Sequence, residues 1–255
     1  MIRDLFGNTK AEISIKRLKL FEPPEGYYVA FSGGKDSIVI KQLCIDAGVK
    51  YDVHYGLTTI DPPELVRYIK EQHPDVHWER PKKPFLTEVI KNGMPGIHSK
   101  WCCKLYKEQG GSGRLVVTGI RWEESARRKN SWKMIQVGRM DKTKRFLNVI
   151  VDWTKNDVWD YIREKDLPYC KLYDEGWKRI GCLFCPNDSH KHKLFLAEKY
   201  PRFAKAFMKA FQRCKDDRES KGNDTKKKWK DGEDMFNWYI GKCNEREDEY
   251  CSLFM

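Results

Sequence analysis

The sequence predicts an α/β protein: a doubly wound, mostly parallel sheet followed by a helical C-terminal subdomain. Three observations carry this. Short apolar runs alternate with helical stretches from Tyr27 to Ile162, the pattern of a parallel sheet covered on both faces. A glycine-rich turn, Phe31-Ser32-Gly33-Gly34-Lys35-Asp36-Ser37, joins the first apolar run to the first helix of that pattern. From His190 onward no strand pattern appears.

In chain order, residues 1–26 read as an N-terminal leader. Ile13, Ile15 and Leu18 to Phe21 are able to pack, and Pro23-Pro24 with Gly26 break the chain before the first core strand. Tyr27 to Phe31 is that strand, and Ile38 to Ala47 the helix after the turn, with Gly48 as its C-cap. Tyr51 to Tyr55 is a second strand; Pro62 then starts a helix over Glu64 to Gln72. Val76 to Trp78 and Leu115 to Ile120 read as strands, Phe85 to Lys91 as a helix, and Leu147 to Val151 as a further strand. Thr154-x-x-Asp157 has the spacing of a capping box and opens a helix carrying Val158, Trp159, Tyr161 and Ile162. Phe195 to Tyr200, Phe203 to Cys214 and Met235 to Ile240 are helical, and the polar stretch 215–232 separates the last two. These readings divide the chain into 1–26, a nucleotide-binding and cysteine-bearing domain over 27–190, and a helical region over 191–255.

The 255 residues are enough for one large domain or a domain with an appendage. Hydrophobic content of 40% with 34% charged residues suits a soluble enzyme, and no apolar run is long enough to span a bilayer. The start, Met1-Ile2-Arg3-Asp4, lacks the pattern of a signal peptide, so the expected location is the cytoplasm, where thiols stay reduced. Nine cysteines there suggest metal binding or sulfur chemistry rather than disulfides. The net charge of +12 fits a polyanionic partner such as tRNA or DNA, and equally a nucleotide pocket lined with Arg and Lys.

The turn has a definite chemistry. Between a strand and a helix N-terminus, glycines allow several backbone N–H groups to converge where the helix dipole favours an anion. Ser32 and Ser37 add hydroxyls and Lys35 a cation. It is not a Walker A loop, because Asp36 follows Lys35 and position 29 is Val, not Gly. Ser32-Gly33-Gly34-Lys35-Asp36-Ser37 resembles, letter for letter, the SGGxDS loop of the adenine nucleotide alpha-hydrolase (PP-loop ATP pyrophosphatase) superfamily. Its members have a Rossmann-like sheet and cleave ATP between the α and β phosphates.

The cysteines form two clusters. Cys102 and Cys103 are adjacent, and Cys182 and Cys185 form a C-x-x-C. Four thiolates from two segments suit a [4Fe–4S] cluster or a tetrahedral zinc. The combination resembles the iron–sulfur signature of the phosphoadenosine phosphosulfate (PAPS) reductase family and of its DNA phosphorothioation branch. Gly119-Ile120-Arg121 with Glu124-Ser125 and Arg127-Arg128 is similar to the segment of this family that closes over the nucleotide. Val151-Asp152-Trp153-Thr154, Asp157-Val158-Trp159 and Pro168-Tyr169-Cys170 look like its W-T-x-x-D-V-W…P-Y block. Cys44 reads as an inert core thiol, whereas Cys170 and Cys251 are candidates for a free working thiol.

The resemblance implies an adenine nucleotide, ATP with Mg²⁺ or else PAPS or adenylyl sulfate, on Ser32, Gly33, Gly34, Lys35, Asp36, Ser37, Gly119 and Arg121. It also implies a [4Fe–4S] cluster on Cys102, Cys103, Cys182 and Cys185. Lys35, Asp36, Arg121 and Arg128 are then the expected catalytic groups. The intact turn favours an ATP-dependent sulfurtransferase that thiolates a nucleic acid or a small molecule, with a cysteine desulfurase as a fitting partner. A sulfonucleotide reductase turned over by thioredoxin, with Cys251 as its nucleophile, is the alternative. Reductases of this kind end in Glu-Cys-Gly-Leu-His, whereas this chain has Glu249-Tyr250-Cys251-Ser252-Leu253. A non-catalytic nucleotide and cluster sensor is the third reading.

Overall fold

The computed structural model describes residues 7–222 and 229–242, which divide into two compact units. One comprises the chain up to Leu57 together with Pro62–Arg80 and Gln109–Gly181; the other comprises Thr58–Asp61, Pro81–Glu108 and the chain from Cys182.

The first unit is the α/β body. Helix α1, Lys10–Leu20, opens with a complete capping box between Thr9 and Glu12. Leu18 is fully buried, and the Tyr27 hydroxyl donates to its carbonyl at 2.7 Å, so the segment ahead of the first strand packs as part of this unit. Strand β1 (Tyr27–Ala30) leads through the glycine turn into α2 (Lys35–Ala47), which ends on Gly48 at φ 65°. Then come β2 (Tyr51–Gly56), α3 (Pro63–Gln72) with proline in its first turn, and β3 (Val76–Glu79).

Two helices of the second unit, α4 (Phe85–Asn92) and α5 (Trp101–Tyr106), intervene before β4 (Leu115–Val117). The first unit continues with α6 (Ala126–Ser131), β5 (Ile135–Val137), β6 (Arg145–Leu147) and α7 (Lys155–Glu164). The sheet runs β3-β2-β1-β4-β6-β5, parallel throughout except for the β5–β6 pair. The predicted mostly parallel sheet is therefore present.

Strand order reverses between β1 and β4, since the chain builds outward to β3 and then returns to the other side of β1. Ligands of open parallel sheets bind at such a switch point, beyond the carboxyl ends of the strands. The glycine turn follows β1 there, and Gly119 follows β4. The predicted strand over Leu147 to Val151 stops at Leu147: Val151 N–H donates to the Asn148 carbonyl and Trp153 N–H to that of Ile150, folding these apolar residues into buried turns.

A buried polar chain ties α2, α3 and the loop after α7. Lys41 Nζ lies 2.6 Å from Asp75 and 3.1 Å from His73 Nδ1. The Tyr68 hydroxyl lies 2.9 Å from His73 Nε2 and donates to the Pro168 carbonyl at 2.7 Å. An ammonium donating to Nδ1 puts the single imidazole proton on Nε2. Burial, reinforced by the Lys41 charge, lowers the His73 pKa from 6.5 to about 4.

The unfolded chain therefore binds the extra proton first as pH falls. Stability is fully present above about pH 6.5 and should drop by up to about 1.4 kcal/mol per pH unit between there and about pH 4. Urea unfolding at pH 7 and pH 5 measures this, and His73→Gln should flatten the slope.

In the second unit α8 (His190–Lys199), α9 (Pro201–Ser220) and α10 (Gly232–Ile240) join α4 and α5. Phe184, Phe207, Phe211 and Phe236 are fully buried there and meet ring to ring, with centroids 5.0 to 6.3 Å apart. The predicted helical C-terminal region is present among the described residues. No helix of the described residues is long and apolar enough to cross a membrane.

Candidate nucleotide and cysteine sites

The turn after β1 is shaped by its two glycines. Gly33 has φ +68°, and a Cβ there would lie 2.7 Å from Leu65 Cδ1 and 2.8 Å from Ile69 Cδ1, so the position tolerates neither a side chain's conformation nor its volume. Gly34 is the N-cap of α2 and offers no side chain to the helix's first N–H groups. Gly119 lets the chain after β4 pass close to the start of α2: a Cβ there would sit 2.9 Å from Asp36 Cβ.

The serines mostly brace the turn. Ser37 Oγ donates to the Gly34 carbonyl at 2.8 Å and lies 3.3 Å from Ser32 Oγ, which accepts from Gly34 N–H at 3.4 Å. Asp36 bridges two cations, with Lys35 Nζ 2.8 Å from Oδ2 and Arg121 Nε 2.7 Å from Oδ1. Arg121 is almost wholly buried and also holds Glu123 at 2.7 Å. Burial by itself would lower its pKa, but Asp36 and then Glu123 more than reverse that, and the net shift is upward. Arg128 pairs with Glu124, whose carboxylate also accepts from the Arg121 N–H at 3.2 Å. The first unit thus brings Ser32 to Ser37, Gly119 and Arg121 together, with Arg128 joined through Glu124.

Tyr173 escaped the sequence reading. Its hydroxyl accepts the Lys35 backbone N–H at 2.9 Å, which is the first N–H of α2 and one of those an anion would use. An anion taking that N–H would have to displace the hydroxyl. Tyr173→Phe should free this donor and tighten nucleotide binding about five- to tenfold, the equivalent of one net hydrogen bond of about 1 kcal/mol. Calorimetric titration with ATP reads this directly, and a loss of affinity would mean that the hydroxyl binds ligand instead. The only sequence signal for it was the aromatic spacing Tyr169-x-x-x-Tyr173.

All four paired cysteines belong to the second unit. Cys102 and Cys103 lie on α5. Between Cys182 and Cys185 the chain turns sharply at Phe184, whose φ is 55° and whose ring is buried, as is Leu183. This buried pair anchors the C-x-x-C loop while both cysteines stay partly accessible.

The thiols act on one another. A hydrogen bond from Cys102, helped by Lys107 and Lys100, draws the Cys103 pKa down to about 6, while the Cys102 pKa rises through the same bond, burial and the neighbouring cysteines, Cys185 included. Burial, with Cys182 and Cys103 nearby, raises the Cys185 pKa. Cys182 is hydrogen-bonded to Lys107, whose own pKa is raised chiefly by it. As they stand, these thiols pair with each other and with Lys107, and no three His, Cys, Asp or Glu side chains among the described residues are gathered to hold a metal ion.

Of the remaining cysteines, Cys44 is fully buried and pushed up to about 12 by that burial. Cys170 is also buried, with its pKa raised for the same reason. Cys251 lies outside the described residues.

The model of the phosphoadenosine phosphosulfate reductase domain matches residues 26–188. An uncharacterized protein of Methanocaldococcus jannaschii is 33% identical over 173 residues, 62% of this chain and 35% of its own length. A second protein of that organism is 32% identical over 197 residues, with 47% of its length covered, so the chain spans less than half of both. Adenosine 5'-phosphosulfate reductase of Staphylococcus haemolyticus is 31% identical over 175 residues, 60% of this chain and 68% of the reductase. Among solved structures, phosphoadenylyl-sulfate reductase of Candida auris shares the fold with a TM-score of 0.52 at 21% identity, covering 70% of this chain and 90% of that one.

Proposed function

The chain belongs to the phosphoadenosine phosphosulfate reductase domain family, and from that premise we propose that it is an ATP-dependent enzyme of sulfur transfer that cleaves ATP between the α and β phosphates. The observation that carries the reading is the intact turn, with both glycines ahead of the N-terminus of α2 and Asp36 set between Lys35 and the buried Arg121. Such a site suits a triphosphate, whose β and γ phosphates need donors and cations of their own.

In this reading the pyrophosphate takes the N–H groups at the start of α2, displacing the Tyr173 hydroxyl from that of Lys35 and the Ser32 hydroxyl from that of Gly34, while Lys35 and Arg121 neutralise charge as it builds on the leaving oxygens. Asp36 is the acidic group at hand for the Mg²⁺ that accompanies ATP. An acceptor oxygen attacks the α phosphorus, the α–β bridging bond breaks and pyrophosphate departs. Hydrosulfide, freed from the donor's persulfide by a thiol reductant that is oxidised to a disulfide, then attacks the adenylated carbon; the C–O bond breaks and AMP leaves the thiolated acceptor, a nucleic acid or a small molecule.

Cys102, Cys103, Cys182 and Cys185 would hold a [4Fe–4S] cluster, in support of which stand four partly accessible sulfur donors in one unit, within electrostatic reach of each other. Bound there, the cluster would supply a coordination site for sulfur, and Lys107 would give up Cys182 to it. A cysteine desulfurase is the matching donor protein.

The reductase names among the relatives favour a second reading: sulfite release from adenylyl sulfate or PAPS, with Cys251 attacking sulfur and thioredoxin resolving the product. Parallel assays separate the two. Pyrophosphate from ATP in the presence of tRNA, DNA or small-molecule acceptors supports the first. Sulfite from the sulfonucleotide, lost in Cys251→Ser, supports the second.

A further inference from the structure

Residues 127–145 carry eight Lys and Arg against a single acid, Asp141, a net +7 of the chain's +12. They form α6 and the β5–β6 hairpin at the far edge of the sheet. Arg127, Lys129, Lys133, Arg139, Lys142 and Arg145 are all exposed, and none makes an ion pair with a described residue. The lone acid is already engaged: Asp141 accepts from Ser112 Oγ and from the Thr143 N–H and Oγ at 2.6 to 2.9 Å.

The base of the patch is braced by packing and hydrogen bonds. Trp132 packs on Phe146 with ring centroids 5.6 Å apart, and its carbonyl accepts from Trp122 Nε1 at 2.7 Å. Asn148 is fully buried and binds the Lys133 carbonyl through Nδ2 and the Met134 carbonyl through its N–H, each at 2.7 Å. Val137 and Arg145 are register partners, so a cation and an apolar side chain share one face.

We infer that this hairpin and α6 form a docking surface for a nucleic acid, gripped through its phosphates. Unpaired cations on a fixed frame match a regular polyanion, and their Coulomb attraction is not offset by local carboxylates. An anionic membrane fits less well. Exposed Ile135 and Val137, flanked by Lys133 and Arg139, lie on a strand of three residues and do not make the wide apolar stripe of a membrane-surface helix. A second copy of the chain, paired along the open edge of β5, would set this positive surface against itself.

As a binding surface the inference stands by itself. As the seat of the acceptor it rests on the sulfur-transfer reading, since α6 follows directly from the Gly119 to Ser125 segment.

Fluorescence anisotropy of the full chain, without ATP and before any cluster reconstitution, tests it with labelled tRNA and with a short DNA duplex. The wild type should bind at least one, with affinity falling steeply between about 50 and 200 mM salt. Lys133→Gln/Arg139→Gln/Lys142→Gln should weaken binding at least tenfold and make the log–log salt slope shallower by about 2 to 3. Lys205→Gln/Lys209→Gln on α9 should change neither. If the triple variant melts early, Arg127→Gln/Lys129→Gln on α6 should still take about 1 to 2 off the slope.

Preference for tRNA or for DNA identifies the partner. No binding to either, an unchanged slope in both the hairpin and the α6 variants, an equal loss in the α9 control, or binding only to phosphatidylserine vesicles would overturn the inference. Pyrophosphate release is read separately, so failure here leaves the ATP reading intact, and the reverse holds too.

Discussion

Arg121→Ala is expected to lower pyrophosphate release from ATP by about a hundred- to a thousandfold, the usual loss when one preorganised charge donor is removed from a reacting oxygen's surroundings. The side chain is almost wholly buried and holds Asp36 and Glu123 at once. Its removal takes one of two cations from Asp36, leaving Lys35, and takes the paired cation from Glu123, so an incoming polyphosphate meets less positive charge. ATP affinity should fall as well. Arg121→Lys keeps the charge but cannot span Asp36 and Glu123 together, and should recover only part of the rate. A thermal melt within a few degrees of the wild type would assign the loss to chemistry, and full activity in Arg121→Ala would remove this residue from the site.

Cys182→Ser/Cys185→Ser is expected to abolish iron and acid-labile sulfide after anaerobic reconstitution, together with the visible absorbance near the blue edge that gives such proteins a brown colour. ATP binding should be retained, because every residue of the glycine turn lies in the other compact unit. Serine oxygen is a poor ligand for iron that prefers thiolate, so the loss should be complete. Cys44→Ser, at a fully buried thiol whose pKa burial raises, should cost stability and leave iron content unchanged. Stoichiometric zinc in the wild type, with no iron, would replace the cluster by a structural metal site.

Much of the fold was legible where local chemistry and tertiary packing agree. The turn from Ser32 to Ser37, Gly48 as a left-handed C-cap, proline in the first turn of α3 and the capping box from Thr154 to Asp157 all appear where the sequence places them. Each is decided by backbone demands that few residue types meet. What stayed hidden depends on distant partners. The helix carrying Cys102 and Cys103 has six residues and no side-chain cap. The hairpin strands have three residues each, below the length at which alternation can be recognised.

The second unit is assembled from three separated stretches, which no pass along the chain reveals. Tyr173 could not be singled out for a different reason. It lies 138 positions from the N–H it binds, and the spacing Tyr169-x-x-x-Tyr173, ending in the single 3-10 turn Lys171–Tyr173, says nothing of that role.

The most direct test follows the fate of ATP labelled in its β and γ phosphates, incubated with the reconstituted protein and a panel of acceptors. The nucleotide assignment requires AMP and labelled pyrophosphate in equal amounts, abolished by Arg121→Ala. Release of ADP and orthophosphate would contradict it, as would sulfite from adenylyl sulfate while ATP is left untouched.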